Sequence, residues 1–238
     1  VYDVRTVIDA LADIGTALEL RPTFGIGILT TLMRIEGRVV GVLANNPAHL
    51  GGAIDSDSSD KASRFIQLCD AYDIPIMSLC DTPGFMVGPD AEQTAQVRHF
   101  GRMFVTAASI TVPWITIVLR KGYGLGAQAM AGGSFHGNTM TVSWPTGEFG
   151  GMGLEGAVRL GYRKELEAIT DDAERAALEA KLIASAYERG NALNMASHVE
   201  IDDVIDPAET RARILSIIGR GTSWRQRTGK KRPMVDTW

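Results

Sequence analysis

The chain has 238 residues and a mass of 25.6 kDa, the size of one large domain or two small ones. Its 45% apolar and 22% charged residues are ordinary for a globular protein, which excludes a disordered tail, a collagen-like fibre and a disulfide-stapled miniprotein. The net charge of −4 argues against nucleic acid as the main partner, and no apolar run approaches the roughly 20 residues that span a bilayer.

The two cysteines and the first residues indicate the compartment. Cys69 and Cys80 lie in apolar surroundings, so we expect reduced, buried thiols in a cytoplasmic protein rather than one disulfide. The chain begins at Val1 without a basic or long apolar segment, so we expect no signal peptide. The missing Met suggests a piece of a longer chain.

The first half of the chain alternates helical and extended patterns. Apolar residues at helical spacing predict a helix over 1–20, and two β-branched runs joined by a turn predict a hairpin. The predicted elements are a helix over 1–20, strands over 26–35 and 39–44, a loop over 45–60, a helix over 61–73 capped by Ser58 or Ser59, a strand over 74–80 and a loop over 81–90.

The second half continues this alternation. It comprises a helix over 92–110, a strand over 114–119, a loop over 120–126, a small-residue stretch over 127–133, a strand over 138–144, helices over 164–189 and 207–219, and a basic polar tail over 220–238. Short apolar strands between longer helices predict an α/β protein with a largely parallel sheet. Ligands should then bind at the carboxyl ends of the strands.

Several familiar catalytic and metal-binding patterns are missing. The four histidines, His49, His99, His136 and His198, lie in no recognisable motif, and there is no G-x-S-x-G sequence. The acidic run from Asp55 to Asp60 lacks the glycine and distal glutamate of a calcium loop and is better explained as a helix N-terminus. A full G-x-G-x-x-G would need glycine where Ala129 stands. We therefore expect no metal site and no dinucleotide site.

Glycine-rich loops follow the predicted buried strands instead. They lie at Gly51–Gly52, Pro83–Phe85, Gly122–Gly126 and Gly147–Gly153. Glycine lets a ligand approach the backbone, and paired N–H groups at a strand-to-helix junction form an oxyanion hole. Tight turns and close helix packing are the alternative explanation for each glycine taken singly.

Long motifs connect the chain to a known family. They are YDVR at Tyr2–Arg5, VGVLANNP at Val40–Pro47, DTPGFMVGPDAE at Asp81–Glu92, VPWITIVLRKGYGLGAQAM at Val112–Met130, SWPTGEFGGMGLEGAV at Ser143–Val158, and KKRPMVDTW at Lys230–Trp238. The chain resembles the C-terminal domain of the carboxyltransferase (beta) component of biotin-dependent acyl-CoA carboxylases, which act on propionyl-, methylcrotonyl- or acetyl-CoA. The resemblance implies one crotonase-like domain over 1–238, a superhelix of ββα units with a mainly parallel sheet and flanking helices.

The resemblance also implies a reaction and its partners. Carboxybiotin on a carrier domain releases carbon dioxide, the biotin anion removes the α-proton of an acyl-CoA, and the enolate attacks carbon dioxide. Backbone N–H groups stabilise the oxyanions, and no metal takes part in this domain. The implied partners are a carboxyltransferase N-terminal domain, biotin carboxyl carrier protein, biotin carboxylase and further copies in a dimer or hexamer.

The resemblance assigns site residues by position. The N–H groups of Leu125 and Gly126, after Gly124, are the implied oxyanion donors, and Leu125 replaces a glycine. The implied biotin- or substrate-binding residues are Tyr123, Ala127, Gln128, Thr82, Pro83, Gly84 and Phe85, with Gln128 where the family influences acyl-chain choice. We expect Gly126 to approach the ligand, so that Gly126→Val would place carbon in the cleft. Arg120 and Lys121 are either an anion site or a solvated pair.

Alternatives remain open from the sequence alone. A biotin-dependent decarboxylase subunit uses the same chemistry in reverse, another crotonase-fold CoA enzyme would need cleft glutamates such as Glu92, Glu148 or Glu155, and a non-catalytic assembly domain would use only its apolar faces. We expect Phe149, Met152, Leu154 and Val158 to form an exposed apolar surface for oligomer assembly.

Overall fold

A computed structural model describes residues 1–218, and the basic tail predicted over 220–238 lies outside this range. The helices are α1 (Arg5–Leu11), α2 (Ser56–Ala71), α3 (Pro89–Gln93), α4 (Gln96–Ala107), α5 (Gly124–Met130), α6 (Leu154–Gly161), α7 (Arg163–Glu167), α8 (Asp172–Gly190), α9 (Ala192–Ser197) and α10 (Thr210–Ile218). Short 3₁₀ turns cover Leu50–Gly52 and Pro207–Glu209.

The strands form one mixed sheet. They are β1 (Leu18–Leu20), β2 (Ile28–Ile35), β3 (Arg38–Asn45), β4 (Ile76–Thr82), β5 (Trp114–Tyr123), β6 (Met140–Ser143), β7 (Glu148–Gly150) and β8 (Asp203–Val204). The order is β1-β2-β3-β4-β5-β6-β8, and β7 pairs with the end of β5. The predicted hairpin is the antiparallel pair β2–β3, and all pairings from β3 onward are parallel. The predicted α/β class is confirmed.

The predicted helix over 1–20 is wrong in its second half. The helix α1 ends at Leu11, and Leu18–Leu20 form an edge strand paired with β2. Ala12 is extended (ψ 154°), and beyond it the Asp13 carboxylate accepts the N–H groups of Glu36 and Gly37 in the hairpin turn. The apolar spacing of Ile14 and Leu18 suggests a helix, yet both side chains are exposed.

The acidic run begins a helix, as expected, although the predicted cap is wrong. Asp55, rather than Ser58 or Ser59, is the N-cap of α2, and its carboxylate accepts the Ser58 N–H at 2.8 Å. An Asx-type cap satisfies an N–H group that has no partner within the helix. The long helix therefore starts five residues before the predicted 61–73 segment.

The later elements are shorter and more numerous than predicted. The helix predicted over 92–110 is two helices, because Ala95 adopts a left-handed conformation (φ 55°) between α3 and α4. The segment predicted as the loop 120–126 is the end of β5 and the start of α5. The helix predicted over 164–189 divides into α7 and α8, and β7, α6 and α9 are additional elements.

Alternate strand residues face two separate apolar cores. One face packs Ile76, Cys80 and Val118 against α2, α4 and α5. The other packs Met77, Leu79 and Ile117 beneath α1 and α10. Strands covered on both faces explain why the sequence shows continuous apolar runs. Both cysteines are free and buried, as expected.

The expected exposed apolar surface is wrong for three of its four residues. Phe149, Leu154 and Val158 are 3%, 6% and 3% exposed, and only Met152, at 44%, faces outward. The amphipathic start of α6 and the strand β7 place these side chains inward. They therefore stabilise the domain itself.

Candidate active site

Four glycine-rich loops meet at the carboxyl edge of the sheet through contacts that leave no room for a side chain. A Cβ atom on Gly52 would lie 2.2 Å from the Asp81 carbonyl oxygen, and one on Gly124 would lie 2.7 Å from the Gly151 carbonyl oxygen. A Cβ on Gly126 would lie 2.7 Å from Gly84 Cα. Tight packing therefore accounts for these glycines individually, and it brings all four predicted loops to one place.

The turn from β5 into α5 brings the first N–H groups of a helix to the meeting point of the loops. Tyr123 precedes the helix with extended backbone (φ −106°, ψ 134°), and Gly124 takes the positive φ of 58°. The side chain of the N-cap residue Tyr123 makes no capping hydrogen bond to the helix. Because the first N–H groups of a helix have no partner within it, those of Gly124, Leu125 and Gly126 are available to an acceptor outside the helix. We call residues 123–126 the donor turn.

Leu125 tolerates its side chain because the left-handed conformation falls on Gly124. Leu125 is not among the residues with positive φ, and its side chain is 57% exposed beside the donor turn. Gln128 lies one helical turn further and is also exposed, whereas Ala127 is buried. Leu125 and Gln128 therefore share the outward face of α5.

Gly126 is required for a different reason from the one expected. Its missing side chain faces the backbone of Gly84 and Phe85, 2.7 Å and 3.0 Å from the ideal Cβ position. A valine there would collide with the neighbouring loop, so the expectation that it would enter the cleft is wrong. The close contact instead ties the Thr82–Phe85 loop to the donor turn.

The Thr82–Phe85 loop is held by its own hydrogen bonds and by aromatic stacking. Thr82 is fully buried, and its hydroxyl accepts the Gly84 N–H at 3.1 Å. The Phe85 ring stacks on Phe100 of α4, with ring centroids 4.2 Å apart. Pro83 and Gly84 are half-buried at the rim. The predicted loop thus lies against the donor turn as a fixed wall.

Asp81 fixes the last residues of β5, a role that the sequence analysis missed. Its buried carboxylate accepts the Tyr2 hydroxyl at 2.9 Å and the Lys121 N–H at 3.2 Å, and it pairs with Arg120 at 3.2 Å. The Arg120 guanidinium also lies 5.7 Å from the centre of the Tyr2 ring. Arg120 is therefore not part of a solvated pair.

Lys121 reaches across to another glycine loop. Its ammonium group donates to the Gly51 carbonyl oxygen. Burial lowers the pKa of Lys121, and the nearby Asp81 carboxylate partly opposes this. Both basic residues therefore have partners within the fold.

Glu148 holds the donor turn from the opposite side, a second role that the sequence did not reveal. Its carboxylate accepts the Tyr123 hydroxyl at 2.8 Å, and the Tyr123 ring is 3% exposed. Burial, followed by the bond to Glu148, raises the pKa of Tyr123 far above its usual range. Predicting strand β7 would have placed Glu148 beside β5 and indicated this pair. The glycines around Phe149 instead favoured a loop in this segment.

Residues 1–218 show neither a membrane-spanning helix nor a cluster of metal ligands. In that range no helix combines the length and the apolar character needed to cross a membrane. The same residues contain no group of three His, Cys, Asp or Glu side chains arranged to hold a metal ion.

Comparison with known proteins identifies the family of the chain. The model of the carboxyl transferase domain matches residues 1–232. The chain belongs to this family. The methylmalonyl-CoA carboxyltransferase 12S subunit of Propionibacterium freudenreichii subsp. shermanii is 39% identical over 236 residues, which cover 97% of this chain and 44% of that relative.

Solved structures of the family share this fold. A single-chain, multi-domain long-chain acyl-CoA carboxylase is 59% identical with a TM-score of 0.82, covering 90% of this chain and 21% of that chain. A transcarboxylase 12S hexamer with methylmalonyl-CoA bound is 36% identical with a TM-score of 0.87, covering 99% of this chain and 45% of that chain. The predicted crotonase-like fold is confirmed. The chain spans less than half the length of these proteins.

Proposed function

We propose that this chain is the biotin-facing half of an acyl-CoA carboxyltransferase, which moves a carboxyl group from carboxybiotin to the α-carbon of an acyl-CoA. The observation that carries the proposal is the uncapped donor turn at the meeting point of four glycine loops. Membership of the carboxyl transferase family supports it.

The donor turn fits an oxyanion. Adjacent N–H groups at the start of α5 point to the same side, and glycine at positions 124 and 126 keeps the surrounding backbone close. Each such donor contributes about 3 kcal/mol to the stability of a transition state that develops negative oxygen. The proposed donors are the N–H groups of Leu125 and Gly126.

Biotin supplies the carboxyl group and the base. Among the chain's own residues, the exposed Gln128 lines the start of α5, and Pro83, Gly84 and Phe85 form the facing wall. The buried Tyr123, Ala127 and Thr82 hold these groups in place from behind. His49 and His99 are engaged by Asp55 and Asp60, 3.1 Å and 3.0 Å away, so these imidazoles serve helix contacts. This arrangement supports chemistry that relies on backbone donors.

The proposal requires partners. The chain matches under half of its 12S relative, and the solved 12S protein is a hexamer assembly. We infer that a carboxyltransferase N-terminal domain completes the cleft and binds CoA, that a biotin carboxyl carrier protein and biotin carboxylase supply carboxybiotin, and that the enzyme assembles from two or six copies in the cytoplasm.

The exposed face of α5 supports a substrate with an extended acyl chain. Leu125 presents an apolar side chain beside its own N–H group, and Gln128 occupies the position that resembles the family's chain-selecting residue. The long-chain acyl-CoA carboxylase is 59% identical to this chain. We therefore propose longer acyl-CoA thioesters as the substrates.

Replacing Leu125 with proline tests the donor assignment. Proline removes the N–H group yet is tolerated in the first turn of a helix, so Leu125→Pro should fold and lose about 100- to 1000-fold in kcat. The control Leu125→Ala keeps the donor and should alter only the preference for acyl-chain length. Both variants belong in the assembled carboxylase, with melting temperatures recorded. A folded Leu125→Pro enzyme as active as Leu125→Ala would refute the assignment.

A further inference from the structure

The Glu148 side chain contacts the donor turn at one residue, Tyr123. Strand β7 runs parallel to the end of β5, where Glu148 lies opposite Lys121 and Gly150 lies opposite Tyr123. The Glu148 carboxylate reaches past this ladder to accept the Tyr123 hydroxyl at 2.8 Å. The two strands are therefore joined by a side-chain bond as well as by backbone pairing.

The orientation of the Leu125 and Gly126 N–H groups depends on Tyr123. It is the N-cap of α5, and Gly124, with a positive φ of 58°, follows it as the first residue of the helix. The helix has no side-chain cap, so the cap itself does not fix the turn. The buried ring and its hydroxyl bond fix the backbone of Tyr123, and the N–H groups of Leu125 and Gly126 follow within three residues.

A second tyrosine–glutamate pair lies next to the first. Tyr187 of α8 donates to Glu155 of α6 at 2.5 Å, joining two helices outside the turn. The other charged group close to Glu148 is Lys121, whose ammonium group is bonded to the Gly51 carbonyl oxygen. Each carboxylate therefore has its own phenol, and only the Glu148 pair includes a residue of the donor turn.

We propose that Glu148 is a positioning residue for carboxyl transfer, which aims the Leu125 and Gly126 N–H groups by holding the Tyr123 hydroxyl. This inference rests on the proposed function of the donor turn. A displacement of about 1 Å at a reacting group costs up to about 100-fold in rate, so loss of the bond should act on turnover more than on substrate binding.

A double-mutant cycle in the assembled carboxylase tests the inference. Tyr123→Phe keeps the buried ring and removes the bond, and Glu148→Ala removes the acceptor. We expect each variant to lose about 10-fold in kcat with a smaller change in KM for the acyl-CoA, and the double variant to lose no more than either alone, because both break the same bond. Glu148→Gln retains an acceptor oxygen and should recover most of the kcat.

A readout independent of turnover separates positioning from a general loss of stability. Amide hydrogen exchange over residues 123–127 should accelerate in Tyr123→Phe and Glu148→Ala. The matched control Tyr187→Phe removes the neighbouring bond of the same kind, and it should change neither exchange over residues 123–127 nor kcat.

The outcomes distinguish this inference from the proposed function. Unchanged kcat and unchanged exchange in Tyr123→Phe, or multiplicative losses near 100-fold in the double variant, would overturn the positioning role. A wild-type assembly that carboxylates no acyl-CoA would overturn the proposed function instead, while the exchange measurement would still decide whether Glu148 orders the turn.

Discussion

Two carboxylates hold the end of β5 from opposite sides, and their surroundings differ. Asp81 is buried and bonded to Tyr2, Arg120 and the Lys121 N–H, so it joins the N-terminal segment, β4 and β5. Glu148 is half-buried and holds the Tyr123 hydroxyl. The comparison indicates that Asp81 stabilises the fold beneath the donor turn, whereas Glu148 adjusts the turn itself.

The largest effect on stability should follow from removing the Asp81 carboxylate. Asp81→Ala leaves the Arg120 charge, the Tyr2 hydroxyl and a backbone N–H group without their acceptor, so we expect the free energy of unfolding to fall by about 3–5 kcal/mol. Urea denaturation measures this. The exposed pair of Arg163 and Glu167 provides the control, because Glu167→Ala should leave the denaturation midpoint unchanged. A small effect at Asp81 would remove the distinction between the two carboxylates.

The glycine contacts provide the next largest effect. Gly124→Ala forces a Cβ into a left-handed residue and to within 2.7 Å of the Gly151 carbonyl oxygen, so we expect a loss of about 2 kcal/mol in stability together with reduced turnover.

Gly153 is the matched control for this glycine. It has a negative φ of −52°, and a Cβ there would meet nothing within 4 Å. Thermal unfolding of Gly153→Ala should match that of the wild type. Equal melting temperatures for Gly124→Ala and Gly153→Ala would mean that the loops do not meet as described.

A smaller effect on stability should come from removing only the Tyr2–Asp81 hydrogen bond. Tyr2→Phe removes the hydroxyl that Asp81 accepts but leaves Arg120 and the Lys121 N–H in place, so we expect a loss of about 1.5 kcal/mol. The loss should largely disappear in the Asp81→Ala background, where the bond is already absent. Independent losses in the double variant would show that Tyr2 acts through packing alone.

The smallest effect is a dependence of stability on alkaline pH. Burial, and then the Asp81 carboxylate, raises the pKa of Tyr2 well above its usual value near 10. The folded state therefore holds this proton more tightly than the unfolded state, and the contribution is complete below about pH 10 and declines as the pH rises further. Unfolding titrations between pH 8 and 12 should show a shallower decline for Tyr2→Phe than for the wild type.

The sequence predicted the convergence of the loops better than it predicted what fixes them. Glycines after buried strands indicate a common edge because parallel strands end together, and Gly52, Gly84 and Gly124 do meet there. Asp81 and Glu148 escaped prediction because a carboxylate's partners lie up to 79 residues away, as Tyr2 does from Asp81. Local periodicity also favoured a helix through Leu18, where pairing with β2 decided the outcome.

The exposure of apolar side chains was equally hard to predict in the glycine-rich segment over 147–158. Phe149, Leu154 and Val158 stand among glycines that resemble a loop, yet β7 and α6 turn these side chains inward. The oligomer that we propose must therefore use other surfaces.

Transfer of labelled carboxylate tests the central claim most directly. A biotin carrier domain carrying ¹⁴C-carboxybiotin is mixed with acyl-CoA and the assembled carboxyltransferase that contains this chain. We expect label in the acyl-CoA product with the wild-type chain, and a loss of about 100- to 1000-fold in the rate with folded Leu125→Pro. The account would be contradicted by a folded wild-type assembly that transfers no label, in either direction, between carboxybiotin and any acyl-CoA.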